Sequence, residues 1–213
     1  MFNYIDTSTW ERREHFDYYR SKVVCGYCCT VRLDVTNLIK ELKKKNLRFY
    51  PSFIYCTAKI VNSMKEFRMG VDKNGLPGYF DISHPNITIF HEDDHTFSDM
   101  WSEYIDDFMS FYTNTVNNME KYKDKKGIKA RDNQPANFFC ISCVPWLSYT
   151  AYSTYATQGE PNLFPVITFG KITETNGVSE IPFTINISHA AADGYHTSKF
   201  INALQEYINN FTV

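Results

Sequence analysis

Six residues late in the chain, His189-Ala190-Ala191-Ala192-Asp193-Gly194, set an imidazole four residues before a carboxylate. An ordinary histidine pKa of about 6.5 lets a fixed imidazole take a proton from an alcohol near neutral pH. General-base catalysis by His189 is the chemistry this offers. Taken alone the pattern is weak, since a single histidine is more often a satisfied structural residue and an aspartate at this place more often only a helix cap.

The flanking residues describe what must hold that imidazole. Phe183, Ile185, Ile187 and His189 alternate with Thr184, Asn186 and Ser188, the period of a half-buried strand. His189 therefore shares the direction of the apolar row. After Gly194, the residues Phe200, Ile201, Leu204, Ile208 and Phe211 recur at helical spacing and predict a closing amphipathic helix. Asp193 stands at its N-terminus, where a carboxylate accepts orphan backbone N–H groups and meets the positive end of the helix dipole.

Earlier elements follow from the same periodicities. A short aromatic and charged helix is predicted over Thr9 to Tyr19, with Ser8 or Thr9 as N-cap, then a strand through Cys25, Tyr27 and Cys29. Val35 to Lys45 reads as a surface helix with a basic end. Pro51 falls in the first turn of a more buried helix carrying Phe53, Ile54, Ala58, Val61, Met64 and Phe67. Asn74-Gly75-Leu76-Pro77-Gly78 marks a turn between short strands, and Ile87 to Phe90 is a strand. Met100, Tyr104, Phe108 and Phe111 predict a long helix from about Ser98 to Lys123, followed by an exposed charged connection to Gln134. Strands are predicted at Phe138 to Val144, Phe164 to Phe169 and Ile181 to His189. Helices gathered early and strands gathered late around a mixed β-sheet predict an α/β two-layer sandwich with helices packed on the sheet, one domain spanning 1–213.

Composition narrows the class of function. The chain has 213 residues, 43% hydrophobic, enough for one substantial core, and its 17 Phe and 15 Tyr suit sheet packing and a partly aromatic pocket. A formal net charge of −2 offers no attraction to nucleic acid or to an anionic membrane. No stretch has the apolar length of a membrane span, and Met1 to Asp6 lacks the pattern of a secretion signal, so a cytoplasmic protein is expected. Six cysteines include Cys25-x-x-Cys28 and Cys140-x-x-Cys143, a pairing that raises a zinc site. Both pairs lie in strand-like runs without a Gly or Pro between them, and residues three apart on a strand face opposite sides. The expectation is no metal and free thiols packed as small hydrophobes.

The ending also resembles the chloramphenicol acetyltransferase family, whose signature is a His-His-Ala-x-x-Asp-Gly-Phe-His-like run before a final helix. Here it reads Ser188-His189-Ala190-Ala191-Ala192-Asp193-Gly194-Tyr195-His196. The likeness runs through Trp10-Glu11-Arg12-Arg13-Glu14-His15-Phe16, Tyr19-Arg20, Cys25-Gly26-Tyr27, Phe49-Tyr50-Pro51 and Glu66-Phe67-Arg68. It continues in Thr88-Ile89-Phe90-His91, Thr96-Phe97-Ser98, Ile141-Ser142 with Pro145-Trp146, and Thr168-Phe169-Gly170-Lys171. Many short matches in order are far more specific than the six-residue motif.

That resemblance implies a homotrimer with active sites between subunits, transferring acetyl from acetyl-CoA directly to the primary hydroxyl of chloramphenicol. His189 matches the catalytic base, and Ser142 the serine that donates a hydrogen bond to the tetrahedral oxyanion. Ser142 lacks the glycine-flanked elbow of a nucleophilic serine, and a serine bonded only to its own sheet is the plainer alternative. Asp193 matches the residue that pairs with an arginine, here Arg12, to brace the corner carrying the base; without the family, Arg12 reads as a solvated helix face. The implied acceptor pocket is Tyr19, Cys25, Tyr27, Phe97 and Thr168, and the implied coenzyme contacts are Trp146 and Lys171. Ser188 departs from the family's paired histidine, Ala191-Ala192 from its Val-Cys, Cys140 from an amide or small apolar residue, and Leu147 to Pro161 from an Asn-rich loop. These departures leave open a different hydroxylated acceptor. A catalytically silent ligand-binding protein is a further alternative, which the joint presence of His189, Ser142, Asp193 and Arg12 argues against.

Overall fold

The computed structural model describes residues 1–154 and 162–213. Five α-helices are α1 (Arg13–Ser21), α2 (Thr36–Lys44), α3 (Phe49–Ser63), α4 (Phe108–Tyr122) and α5 (Gly194–Asn209). Ten strands are β1 (Phe2–Tyr4), β2 (Gly26–Asp34), β3 (Met69–Val71), β4 (Pro77–Phe80), β5 (His84–His91), β6 (Thr96–Trp101), β7 (Phe138–Cys143), β8 (Val166–Phe169), β9 (Thr173–Thr175) and β10 (Val178–Ser188).

The large sheet runs β2-β10-β8-β7-β5-β6, with β9 paired to β10 off this path, and β1-β4-β3 form a small second sheet. The β5–β7 and β7–β8 pairs are parallel and the rest antiparallel, so the expected α/β architecture with a mixed sheet is what forms. One face of the large sheet buries Leu33, Ile87, Ile141, Ile167, Phe169, Phe183 and Ile185 beneath the helices. Phe53 of α3 packs at a tilt on Phe169 at 4.7 Å and edge-on to Phe183 at 6.2 Å, and Phe200 of α5 meets Phe67 at 4.7 Å. Burying one such side chain contributes about 1.5–3 kcal/mol, so α3 and α5 are held by this seam more than by helix propensity.

Three expectations are corrected. The long helix from Ser98 does not form: residues 96–101 are β6, paired to β5 from His91↔Thr96 to Asn86↔Trp101, and the helix begins at Phe108 with Asp107 as its N-cap. Ser98, Met100 and Ser102 are buried while Phe97 is exposed, which is the alternation of a strand. Spacings of four, four and three among Met100, Tyr104, Phe108 and Phe111 imitate a helix across that boundary. The first helix starts at Arg13 rather than Thr9, because Ser8 turns back on Asp6 through its N–H (2.9 Å) and hydroxyl (2.6 Å). Finally, β2 begins at Gly26, so Cys25 precedes the strand that was expected to contain it.

Candidate active site

β10 delivers its last strand residue, Ser188, opposite Gly26, and His189 follows in the turn before α5. Three contacts fix His189. Its N–H donates to the Cys25 carbonyl at 3.0 Å, its ring stacks on Tyr19 at 3.8 Å and 7°, and Tyr27 meets it edge-on at 5.7 Å and 80°. The three alanines after it are completely buried. Gly194 lets Tyr27 approach, since a Cβ there would lie 2.8 Å from the Tyr27 hydroxyl that packs on the helix start. Nδ1 of His189 is buried without a hydrogen-bond partner among the described residues.

Asp193 is the N-cap of α5. Its Oδ1 accepts from the backbone N–H of Tyr195 (3.0 Å) and His196 (3.3 Å) and lies 2.7 Å from His196 Nδ1. Its Oδ2 accepts from Arg12 Nη1 at 2.5 Å, and Arg12 Nη2 reaches the His189 carbonyl at 3.5 Å. Arg12 thus ties the residue bearing the imidazole to the cap of the helix that follows it. His196, which sequence reasoning gave no role, is the second partner of the carboxylate; its position three residues after an N-cap is the available signal. Burial pushes the Asp193 carboxyl up, but hydrogen bonds from His196 and Arg12 outweigh it and hold the group well below the ordinary carboxylate range.

A depressed folded-state pKa adds stability that is fully present above the unfolded value of about 3.9 and is lost as pH falls toward the folded one. Asp193→Asn is therefore expected to lower unfolding free energy by about 2–3 kcal/mol at pH 7. In denaturant titrations that gap should stay constant from pH 8 down to about 5 and narrow only in more acid solution. A gap that instead vanished on raising the pH from 5 to 8 would count against this brace.

A second group gathers round the C-terminal end of β7. Ser142 lies beside Thr168 in the parallel β7–β8 pair, and its hydroxyl makes no hydrogen bond to a described residue. The plainer alternative of a serine bonded to its sheet does not hold. Thr168 is buried, with its carbonyl accepting from the Tyr149 hydroxyl at 2.7 Å. Tyr149, missed in the sequence, crosses here because Gly170 has no side chain: a Cβ would sit 2.5 Å from the Leu147 carbonyl and 2.9 Å from the Tyr149 ring. Trp146, mostly exposed, meets Phe90 edge-on at 4.7 Å, and Phe90 pairs with the half-exposed Phe97. Lys171 is exposed, and its ammonium has no partner among the described residues.

The two groups are far apart within one chain. Ser142 lies level with Thr168, which pairs with Thr184, and β10 then runs to Ser188 before His189. At about 3.3 Å per residue and 4.8 Å per strand spacing, His189 and Ser142 are separated by roughly 19 Å. Tyr19, Tyr27, Cys25 and Arg12 contact His189, with Asp193 held by Arg12; Thr168 is the paired neighbour of Ser142, while Phe97 lies on β6 and Trp146 and Lys171 follow β7 and β8.

The thiols are protonated where burial is deep: burial pushes Cys140 up to about 11 and Cys143 up to about 12. Among the described residues no group of three or more His, Cys, Asp or Glu side chains is placed to hold a metal ion. Nor, among them, is any helix long and apolar enough to cross a membrane.

Comparison with known proteins bears on this arrangement. The family profile described as Chloramphenicol acetyltransferase matches residues 1–205. The chain belongs to the chloramphenicol acetyltransferase family. It is an acyltransferase, 38% identical over 210 residues to the chloramphenicol acetyltransferase of Clostridium butyricum, a match covering 99% of this chain and 96% of that one. A chloramphenicol acetyltransferase of Vibrio anguillarum is 38% identical over 209 residues, covering 98% and 95%. Among solved structures, a chloramphenicol acetyltransferase superposes with a TM-score of 0.83 at 22% identity, covering 98% of this chain and all of the other. The dihydrolipoamide acetyltransferase of Azotobacter vinelandii gives 0.70 at 16% identity, covering 92% and 86%, a likeness of fold.

Proposed function

We propose that this acyltransferase moves acetyl from acetyl-CoA to the primary hydroxyl of chloramphenicol, inactivating the antibiotic in the cytoplasm. The observation that carries the reading is the His189 imidazole, clamped by Tyr19, Tyr27 and the Cys25 carbonyl at a braced strand-to-helix corner. His189 Nε2 takes the hydroxyl proton as the oxygen attacks the thioester carbonyl. The resulting oxyanion receives a hydrogen bond from the Ser142 hydroxyl. Collapse breaks the C–S bond and the leaving thiolate recovers the proton from the imidazolium, so no acyl-enzyme forms. Tyr19, Cys25, Tyr27, Phe97 and Thr168 line the acceptor side, while Trp146 flanks the coenzyme arm and Lys171 faces a phosphate.

A base and an oxyanion donor must both lie within about 3 Å of the reacting atoms, which the single chain does not allow. The reading therefore places each site between copies in a homotrimer, His189 from one and Ser142 from the next.

Release of CoA thiol, followed with a small panel of alcohols, tests the reaction. Chloramphenicol should drive release at once. Release driven only by another alcohol would replace the acceptor, and none with any alcohol would favour a silent binding protein.

A further inference from the structure

One row of side chains crosses the helix-free face of the large sheet at the level of Ser142. It comprises Asp99, Thr88, Ser142, Thr168, Thr184 and Thr30, each paired with or one residue beyond a paired position on the next strand. Outside β6, an isolated parallel bridge sets Lys129 opposite Asp99.

The two ends of this row differ. Toward β2 it is closed: Thr168 and Thr184 are buried, Thr184 and Thr30 share a 2.8 Å hydrogen bond, and Tyr149 lies across Thr168. Toward β6 it is open: the Asp99 side chain is 23% exposed and that of Lys129 is 47% exposed. An alcohol reacting beside Ser142 along this row extends toward β6. Asp99 stands two strand spacings from Ser142, roughly 10 Å.

Lys129 Nζ lies 3.3 Å from Asp99 Oδ2 and 2.7 Å from Gln134 Oε1. An ammonium has three donors, and these are its partners among the described residues, so a held donor remains. Two tethers on a flexible stem also remove much of the entropy that a mobile surface lysine would lose on gripping a ligand.

We propose that Lys129, pinned by Asp99 and Gln134, is a specificity-determining residue at the far end of the acceptor pocket. It selects alcohols bearing an electron-rich hydrogen-bond acceptor, such as a nitro, sulfonyl or carboxylate group, about two strand spacings from the reacting hydroxyl. This rests on the acetyl-transfer reading and on Ser142 marking the reacting centre. A cationic group at the same distance is disfavoured by repulsion from the ammonium.

The test compares kcat/KM for chloramphenicol and for its analogue with hydrogen in place of the nitro group, in wild type, Lys129→Met and Lys129→Arg. Wild type should prefer the nitro compound. Lys129→Met should shrink that preference about tenfold through KM, with kcat for the unsubstituted analogue unchanged. Lys129→Arg should retain most of it. Thermal melting of each variant separates a local effect from a loss of fold, and Lys129→Gln, which keeps a polar head, serves if Lys129→Met is unstable. An unchanged preference in the folded variants overturns the assignment while leaving acetyl transfer intact. Absence of turnover with either alcohol in wild type overturns both.

Discussion

Replacing His189 with alanine should lower acetyl transfer by about 10⁴-fold while leaving the protein folded. The loss is deep because the hydroxyl of an alcohol is a poor nucleophile until its proton is removed, and the mechanism assigns that proton to one group. Cys25 meets the corner through its backbone carbonyl and the Cys28 thiol donates to the Tyr152 carbonyl, so neither takes the place proposed for the imidazole. The fold should survive because the corner is held by other groups. Asp193 caps α5, Arg12 pairs with it, and the 189 N–H to Cys25 carbonyl bond is made by the backbone. Loss of the ring costs the stack on Tyr19, about 1 kcal/mol. Single-turnover rates with acetyl-CoA and chloramphenicol, beside a melting curve, measure both. Turnover near wild type would remove His189 from the mechanism.

Ser142→Ala should reduce kcat by about 10²–10³ with KM nearly unchanged. The hydroxyl has no hydrogen-bond partner among the described residues, so removing it orphans none of them. In the proposed mechanism its value arises when the thioester oxygen gains charge, so the loss belongs in kcat rather than in binding. A variant with full kcat and raised KM would make Ser142 a binding residue only. Steady-state kinetics over both substrates separates the two.

Much of this site was legible before the structure. The corner at His189 could be read because two periods meet there, alternation ending at Ser188 and helical spacing resuming after Gly194, with a capping aspartate between. Ser142 and Arg12 had no such local signal. They were reached through the family resemblance, and the structure supplied the 2.5 Å bond from Arg12 to Asp193 and a serine hydroxyl with no bond to a described residue.

Other features depended on contacts that no local period encodes. β6 is a strand because β5 pairs with it, although Met100, Tyr104, Phe108 and Phe111 keep helical spacings of three and four. Tyr149 caps Thr168 only because the chain crosses at Gly170, and Lys129 meets Asp99 only because a charged connection returns to the edge of β6. The separation of His189 from Ser142 is of the same kind: it follows from strand order β10-β8-β7, which sets two residues proposed to act together far apart in one chain.

That separation is also where the central claim is most exposed. His189→Ala and Ser142→Ala are each expected to be nearly inactive alone. Unfolded together in equal amounts and refolded, they should form mixed trimers in which about a quarter of the sites combine an intact His189 from one copy with an intact Ser142 from its neighbour. Activity near a quarter of wild type per chain is the predicted result. A mixture no more active than its two components, despite mixed oligomers in native mass spectra, would contradict the shared site.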